Sequence, residues 1–541
     1  MRDLHIQSET LANRPKLGTL SCVSLIVNKI IGTGIFLVPA IVLKYCNGSI
    51  ALSLILWAAG AIISLCGLYV YVEFALNLPF TNGGEKNYLR RVYRNPRGLV
   101  GCMYSFYVGI LGFSAGNSYA FGKYTVYAFG GKDLGSENDR KVTLVAILCI
   151  TCCIALHIIH PHNGRRFFNI LGFFKIIILL LIISLGCLAL LGFTNTLVSN
   201  NFKDSFYLES QMKPNFHYLS VASFQVLYSY RGWENVNFVL QEVNNPHYVL
   251  TVAAPVAFLF TSLLYLLVIV SYLIVVPRKE IIDSGILVAG VFFNRILGVN
   301  TASKLLPLLI ATSNLGNVMA VSFTHSYVIQ ELARNNYLPF SKSLEKIQCA
   351  FLFHWLITFL ALVIPPSTQV YEFLINLSMY PSSIIMFLIS VGLFYLKFNR
   401  KKENWGYQHV EGESYSPRDQ NEECTSLTQE QHIFQRNLMF DISSLRRERP
   451  FSVSYFVVFV FLAASVFLIT FPFVPPYESL KNALPYWCFP TVGASVLLLG
   501  VIWFYSRMWL SAFSNRIFGR SHAFPKYEED YKESFLPTIG I

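Results

Sequence analysis

Long apolar runs dominate this sequence and limit the folds that it can adopt. Stretches of roughly 20 apolar residues recur along the chain, and about that number is needed for a helix to cross ~30 Å of hydrocarbon. Hydrophobic residues make up 54% of the 541 residues and charged residues 13%, whereas soluble globular proteins carry about 25% charged residues. The sequence therefore predicts an all-α membrane protein.

The apolar runs predict about twelve transmembrane helices with both chain termini in the cytoplasm. The net charge is +12, and the basic residues lie mainly in short loops and tails, as membrane orientation requires. This distribution argues against nucleic-acid binding. The predicted helices are residues 17–44, 49–78, 99–129, 142–160, 167–193, 218–241, 250–276, 304–331, 349–364, 370–397, 451–473 and 486–505.

Two of these helices contain glycines in mid-span, where glycine weakens a helix. Helix one has Gly32 and Gly34, and helix six has Gly232 among polar and charged neighbours. Helices one and six are five apart, so they enter the membrane from opposite sides. This pattern is typical of a five-plus-five inverted repeat, in which two broken helices meet near the midplane. The alternative is that the glycines only permit close helix packing.

Broken helices present free backbone groups to a ligand. Free N–H groups at the positive end of a half-helix bind a carboxylate, and free C=O groups bind an ammonium group. An amino acid carries both groups, so the sequence predicts a carrier of amino acids, with the substrate bound at the two breaks.

The repeat and the charged loops predict the domain organisation. A long, charged loop after helix ten is low in apolar residues and is expected to be a soluble segment. The predicted parts are an N-terminal cytoplasmic tail at 1–16, a transmembrane domain at 17–509 with repeats at 17–193 and 218–397, a cytoplasmic loop at 398–450, two further helices at 451–509, and a C-terminal cytoplasmic tail at 510–541.

Ionisable residues inside predicted membrane helices are candidates for function, because a charge there is costly. Arg231 and Glu234 are three residues apart and could form an ion pair, or Glu234 could gain and lose a proton. Lys175 could be a cation near the break in helix one, or it could extend to the interface. Glu73 could be an interfacial carboxylate.

The cysteines and histidines do not predict a metal site. The cysteines lie in apolar runs and are expected to pack as small hydrophobic residues. No cofactor is predicted, and the sequence contains no nucleophile–base pair or phosphate-binding glycine loop, so an enzyme is not expected. The groups considered as metal ligands and rejected are Cys149, Cys152 and Cys153, and His157, His160 and His162.

Several motifs resemble those of the amino acid–polyamine–organocation transporters. Ile31 to Phe36 resembles the helix-one signature, Gly83 to Tyr88 resembles the motif after helix two, and Arg334 to Pro339 resembles the loop after helix eight. Gly232-Trp233 and Asn244-Asn245-Pro246 are similar to the L-type amino acid transporter branch. Within that branch, Gly83 to Leu89 and Phe121 to Gly130 resemble fungal methionine permeases.

The resemblance implies proton-coupled uptake of neutral amino acids, most of all methionine, at the plasma membrane. It also implies a role for each residue of the site. The N–H groups of Thr33 and Gly34, beside Gly32, would hold the substrate carboxylate; the carbonyls of Ile30, Tyr228, Ser229 and Arg231 would hold its amine; Tyr230 and Trp233 would lie beside its side chain; Glu234 and Lys175 would serve proton coupling.

Arg231 departs from the pattern, because many L-type relatives carry a small residue there. It leaves open whether Glu234 takes up protons and whether methionine is the substrate. The alternatives are a carrier of cysteine or large neutral amino acids, and a transporter-like amino acid sensor. A disulfide-linked heavy chain is not expected, because residues 130–141 contain no cysteine.

Overall fold

The chain folds into helices joined by short turns. Among the residues that the structure describes, no strand forms, and an isolated β-bridge joins Leu17 to Val243. The structure is a computed structural model that describes residues 16–130, 136–193, 198–203, 205, 216–284, 288–363, 368–406, 451–475 and 485–518.

We number the helices of the described ranges in chain order. A 3₁₀ helix at Asn235–Glu242 follows the ninth of them. The α-helices are α1 (Thr19–Ile30), α2 (Thr33–Tyr45), α3 (Ile50–Leu76), α4 (Glu85–Val92), α5 (Leu99–Leu111), α6 (Ala115–Gly130), α7 (Ser136–Ile159), α8 (Pro161–Leu190), α9 (Phe216–Tyr230), α10 (Pro246–Val275, with a π-helical stretch), α11 (Arg278–Ser284), α12 (Val288–Leu297), α13 (Val299–Arg334), α14 (Ser341–Leu344), α15 (Ile347–Val363), α16 (Thr368–Phe398), α17 (Tyr455–Thr470) and α18 (Cys488–Phe518).

Nine helical segments within the described ranges are long and apolar enough to cross a membrane. Three of the twelve predicted crossings are not among them. Helix six is broken in the middle, α13 has 36 residues but carries polar side chains such as Asn314 and Asn317, and α15 has only 17 residues. The prediction of an all-α membrane protein is confirmed, whereas the count of twelve and the inverted repeat stay predictions.

Helix α8 has one face suited to lipid and another face that packs against the rest of the protein. Phe173, Ile177 and Leu180 are exposed, although they are large and apolar. Leu171 and Lys175 on the same helix are buried. Because residues three and four apart share a helix face, the exposed apolar face suits a hydrocarbon environment. Lys175, the one charged side chain on α8 after Arg166, is turned toward the protein.

The third predicted helix is interrupted, which the sequence analysis did not foresee. α5 ends at Leu111 and α6 begins at Ala115. Ser114, which lies in this interruption, forms hydrogen bonds with α15. Its backbone N–H donates to the Thr358 hydroxyl at 3.2 Å, and its Oγ lies 2.9 Å from His354 Nε2. These partners satisfy backbone and hydroxyl groups that a continuous helix would have used itself.

Glu73 lies in a buried polar cluster at the end of α3. Its carboxylate pairs with Lys397 at 2.8 Å and accepts hydrogen bonds from Trp405 Nε1 at 3.1 Å and from the Val453 backbone N–H at 2.8 Å. The cluster joins the end of α3 to the end of α16 and to the chain before α17. The predicted loop 398–450 lies mostly outside the described residues, but its two ends meet here.

Candidate functional site

Both predicted helix interruptions are present. α1 ends at Ile30 and α2 begins at Thr33, while α9 ends at Tyr230 and the 3₁₀ helix begins at Asn235. The last carbonyls of one half-helix and the first N–H groups of the next have no intrahelical partners. The interruptions therefore place backbone donors and acceptors inside an apolar helical protein.

The two interruptions lie against each other, and glycine makes this approach possible. Gly232 has φ +145°, and a Cβ there would lie 2.7 Å from Lys29 Cγ and 2.8 Å from the Ile30 nitrogen. A Cβ on Gly34 would lie 2.7 Å from the Cα of Ser229. No other residue type fits at these two contacts without moving the backbone.

The first turn of α2 is an open helix N-terminus. Gly32 is the N-cap residue and offers no side chain to cap it. The Thr33 N–H donates to Asn117 Oδ1 at 3.3 Å, and the Thr33 hydroxyl lies 3.2 Å from the Tyr228 hydroxyl. The N–H groups of Thr33 and Gly34 point out of a half-helix whose positive end favours an anion, which fits a substrate carboxylate.

Two of the carbonyls predicted to hold an amine already accept hydrogen bonds from the protein. The Tyr265 hydroxyl donates to Ile30 O at 2.6 Å, and the Arg231 N–H donates to Tyr228 O at 3.2 Å. Ser229 is buried, and its hydroxyl donates to the Gln225 carbonyl at 2.8 Å. Since a carbonyl oxygen has two lone pairs, an ammonium group at Ile30 or Tyr228 would share the oxygen with these donors.

Lys175 lies under the break in helix one and does not extend to the surface. Its side chain is fully buried, and Nζ donates to the carbonyls of Asn28, at 2.7 Å, and Ile31. A Cβ on Gly316 of α13 would be 2.8 Å from Lys175 Cε, so the ammonium group is enclosed between α1, α8 and α13. A cation here compensates the negative end of the first half-helix.

Arg231 and Glu234 form an ion pair even though helix six is unwound between them. Arg231 Nε is 3.0 Å from Glu234 Oε1, and the Gly232 N–H donates to Glu234 Oε2 at 2.9 Å. The guanidinium also donates to the Tyr107 hydroxyl at 2.8 Å and lies 3.6 Å from the sulfur of Met379. Both oxygens of the Glu234 carboxylate are therefore used inside the protein.

Tyr230 and Trp233 are buried among other aromatic rings. The Tyr230 ring lies 5.5 Å from that of Tyr265 and 5.7 Å from that of Trp57, while the Trp233 ring lies 4.8 Å from that of Tyr71. These edge and tilted contacts stabilise the unwound segment. The two residues flank the break, and their rings pack against α3 and α10. Their position beside a substrate side chain stays a prediction.

Asparagines on two other helices complete the site and were not predicted. Asn117 of α6 accepts from Thr33, and Asn317 of α13 donates to Lys29 O at 2.6 Å. A Cβ on Gly32 would lie 2.6 Å from Asn317 Nδ2 and 2.9 Å from Asn117 Oδ1. Polar amides in the middle of apolar helices were the sequence signal that could have identified them.

In the described part of the chain, no three His, Cys, Asp or Glu side chains come together. His157 is buried, and its Nε2 lies 3.1 Å from the Met319 carbonyl. The charged groups at the two breaks are Lys29, the buried Lys175, and the ion pair of Arg231 with Glu234.

Comparison with known proteins finds amino acid transporters among the relatives of this chain. The chain is 31% identical to the high-affinity methionine permease of Saccharomyces cerevisiae over 498 residues, which is 90% of this chain and 78% of the yeast protein. It is 30% identical to the low-affinity methionine permease of the same yeast, over 72% of this chain and 71% of the relative. It is 28% identical to the human cystine/glutamate transporter, over 61% of this chain and 63% of the relative.

A family model described as "Amino acid permease" matches residues 17–495. The matched residues include both helix breaks, Lys175, and the buried cluster around Glu73. It assigns the chain to the transport of amino acids through a membrane and not to enzymatic chemistry. From the fold, the paired helix breaks and this match, the chain belongs to the amino acid permease family.

Proposed function

We propose that this permease takes up neutral amino acids together with protons across the plasma membrane, and that methionine is its substrate. The observation that carries the proposal is the contact between the two helix breaks. There the N-terminus of α2 lies against Ser229 at the end of α9, and the Gly232 turn lies against Lys29 and Ile30 at the end of α1. Such a site binds the carboxylate and amine that every amino acid shares.

Proton coupling is supported by the position of Lys175. Its ammonium group donates to the carbonyls of Asn28 and Ile31, which the break in helix one sets free. A fixed cation at these oxygens takes the place that a bound metal cation would occupy in a broken helix. The arrangement supports Lys175 as a permanent or titrating cation and Glu234 as the anion that holds Arg231.

Methionine as the substrate is supported by the names of two relatives, since both yeast proteins at 30–31% identity are methionine permeases. The apolar and aromatic surroundings of the break also suit an uncharged side chain. The carboxylate at the break in helix six, Glu234, is bonded to Arg231 and so offers no free anion to a substrate such as lysine.

The test is uptake of radiolabelled methionine into cells that lack their own carriers, at acid and neutral pH. Uptake stimulated by acid and blocked by unlabelled methionine, but not by lysine or glutamate, would support the proposal. Competition that is stronger with cysteine or leucine than with methionine would reassign the substrate and keep the carrier.

The same cells distinguish a carrier from a sensor. Surface expression is measured by fluorescence of a tagged protein, so that missing uptake is not confused with missing protein. Normal surface expression with no uptake of any tested amino acid would contradict transport and favour an amino acid sensor.

A further inference from the structure

Glu85 is a buried carboxyl that lies next to the site but was not assigned a role in it. It is the first residue of α4 and is 1% exposed. The Tyr71 hydroxyl donates to Glu85 Oε1 at 2.6 Å, and the Tyr104 hydroxyl also interacts with the carboxyl. No described lysine or arginine forms an ion pair with it, which is unusual for an ionised carboxylate in a protein interior.

The other enclosed carboxylates of the described chain are each held by a cation. This contrast separates Glu85 from residues whose charge is fixed by a partner, because an opposite charge at close range keeps a carboxyl ionised. The pairs are Glu73 with Lys397, Glu234 with Arg231, Glu331 with Lys86, and Glu403 with Arg91.

The burial of Glu85 favours its neutral form. Burial raises its pKa above the ordinary value and Glu234 adds to this effect, while Arg231 and the two tyrosine hydroxyls oppose it. Arg231 is already paired with Glu234, and Lys29 also interacts with these two residues, so neither cation is bonded to Glu85. The titratable groups that face Glu85 are Tyr71 from α3, Tyr88 from α4, Tyr104 and Tyr107 from α5, and Arg231 and Glu234 from helix six.

The segment around Glu85, residues 83–88, is hydrogen-bonded to the second half of helix six. The Gly83 N–H donates to Phe238 O at 3.0 Å, and the Tyr88 hydroxyl donates to Asn237 Oδ1 at 2.8 Å. A movement of this half-helix must therefore change the surroundings of Glu85. Water that enters around Glu85 would lower the desolvation free energy of its carboxylate, and the carboxyl would then release its proton.

We propose that Glu85 is the carboxyl that binds and releases the transported proton. The inference rests on the proposed function, because it requires that uptake be coupled to protons. The proton adds to one oxygen of Glu85 while the site is closed from one side, and leaves when water reaches the carboxylate from the other side. Glu234 stays paired with Arg231 throughout.

The test uses the full-length protein in liposomes that contain a pH-sensitive dye. Two quantities are measured: proton influx driven by methionine, and exchange of internal for external methionine, which needs no net proton movement. In Glu85→Gln, proton influx is lost while exchange continues, and Glu85→Asp keeps both. Glu280→Gln, which changes an exposed glutamate on α11, is the matched control and behaves like the wild type.

A second variant tests the proposal if Glu85→Gln fails to fold. Tyr71→Phe removes the hydroxyl that donates to the ionised carboxyl and leaves the ring in place. Loss of one hydrogen bond to a charged group is expected to move the pH midpoint of uptake upward by about one pH unit.

The outcomes distinguish failure of the role of Glu85 from failure of the proposed function. Proton influx that persists in Glu85→Gln, loss of exchange in a folded Glu85→Gln protein, or an unmoved midpoint in Tyr71→Phe would overturn the role of Glu85 alone. Methionine transport by the wild type without any proton influx would overturn both proton coupling and the role of Glu85. The substrate claim falls only if the wild type fails to exchange methionine.

Discussion

The contact between Gly34 and Ser229 gives the sharpest test of the site, and Gly34→Ala is the smallest change that disturbs it. The new Cβ would lie 2.7 Å from the Cα of Ser229, where ordinary contacts are 3.4–4 Å. Both atoms belong to the backbone or are attached directly to it, so α2 and α9 must separate by about 0.7 Å to restore an ordinary contact, and such overpacking costs about 1–3 kcal/mol.

The expected loss of uptake follows from this displacement. In catalytic sites a misplacement of about 1 Å can cost about 100-fold, and a binding site shared by two half-helices depends on position in the same way. We therefore expect Gly34→Ala to lower methionine uptake by about 10- to 100-fold. Gly34→Leu, which introduces a much larger side chain, is expected to abolish uptake while the protein stays in the membrane.

The assay is the initial rate of radiolabelled methionine uptake, divided by the amount of tagged protein at the cell surface. Gly290→Ala is the matched control, because a Cβ at Gly290 of α12 meets no atom within 4 Å. It is expected to keep wild-type uptake. Wild-type uptake by Gly34→Ala at normal surface levels would refute the conclusion that the two breaks form the substrate site.

Two further predictions concern buried charges. Glu234→Gln removes the counter-ion of Arg231 and is expected to lower uptake at every pH while acid stimulation persists; loss of acid stimulation in this variant would assign the proton to Glu234. Glu73→Gln breaks the buried pair with Lys397 and is expected to destabilise the protein by about 3–5 kcal/mol, as measured by thermal unfolding in detergent, with part of the loss recovered in the double variant Glu73→Gln, Lys397→Met. A loss below about 1 kcal/mol would show that the pair is no stronger than a surface ion pair.

The membrane helices could be predicted because hydrocarbon imposes a simple rule on sequence. The face of a helix that meets lipid must be apolar, and the exposed faces of α3, with Ile55 and Ile62, and of α8, with Phe173 and Ile177, show this. The break at Gly32 was predictable for a related reason, since glycines in mid-membrane are weak points in a helix. The break between Leu111 and Ala115 was missed because its stability comes from Thr358 and His354 on a helix distant in sequence.

The site was predicted less completely than the helices. The residues at the breaks were named because they are local in sequence. Asn117 and Asn317 were missed, since nothing near them in sequence shows that they reach the backbone of helix one. The Arg231–Glu234 pair was only one of two interpretations, and the direction of both side chains in an unwound segment depends on Tyr107 and on the Gly232 turn.

Arg231 stands where the resemblance to L-type transporters leads one to expect a small residue, and its contacts give this departure a physical meaning. The guanidinium is bonded to Glu234 in its own segment and to Tyr107 on α5, and it lies against Met379 on α16. A small residue at this position would leave Glu234 and Glu85 as two buried carboxyls with no cation between them, and one or both would have to be neutral. With Arg231 present, Glu234 has an ion-pair partner, whereas no described lysine or arginine forms an ion pair with Glu85. Under the proposed coupling of uptake to protons, Arg231 therefore bears on that coupling more directly than on the choice of amino acid.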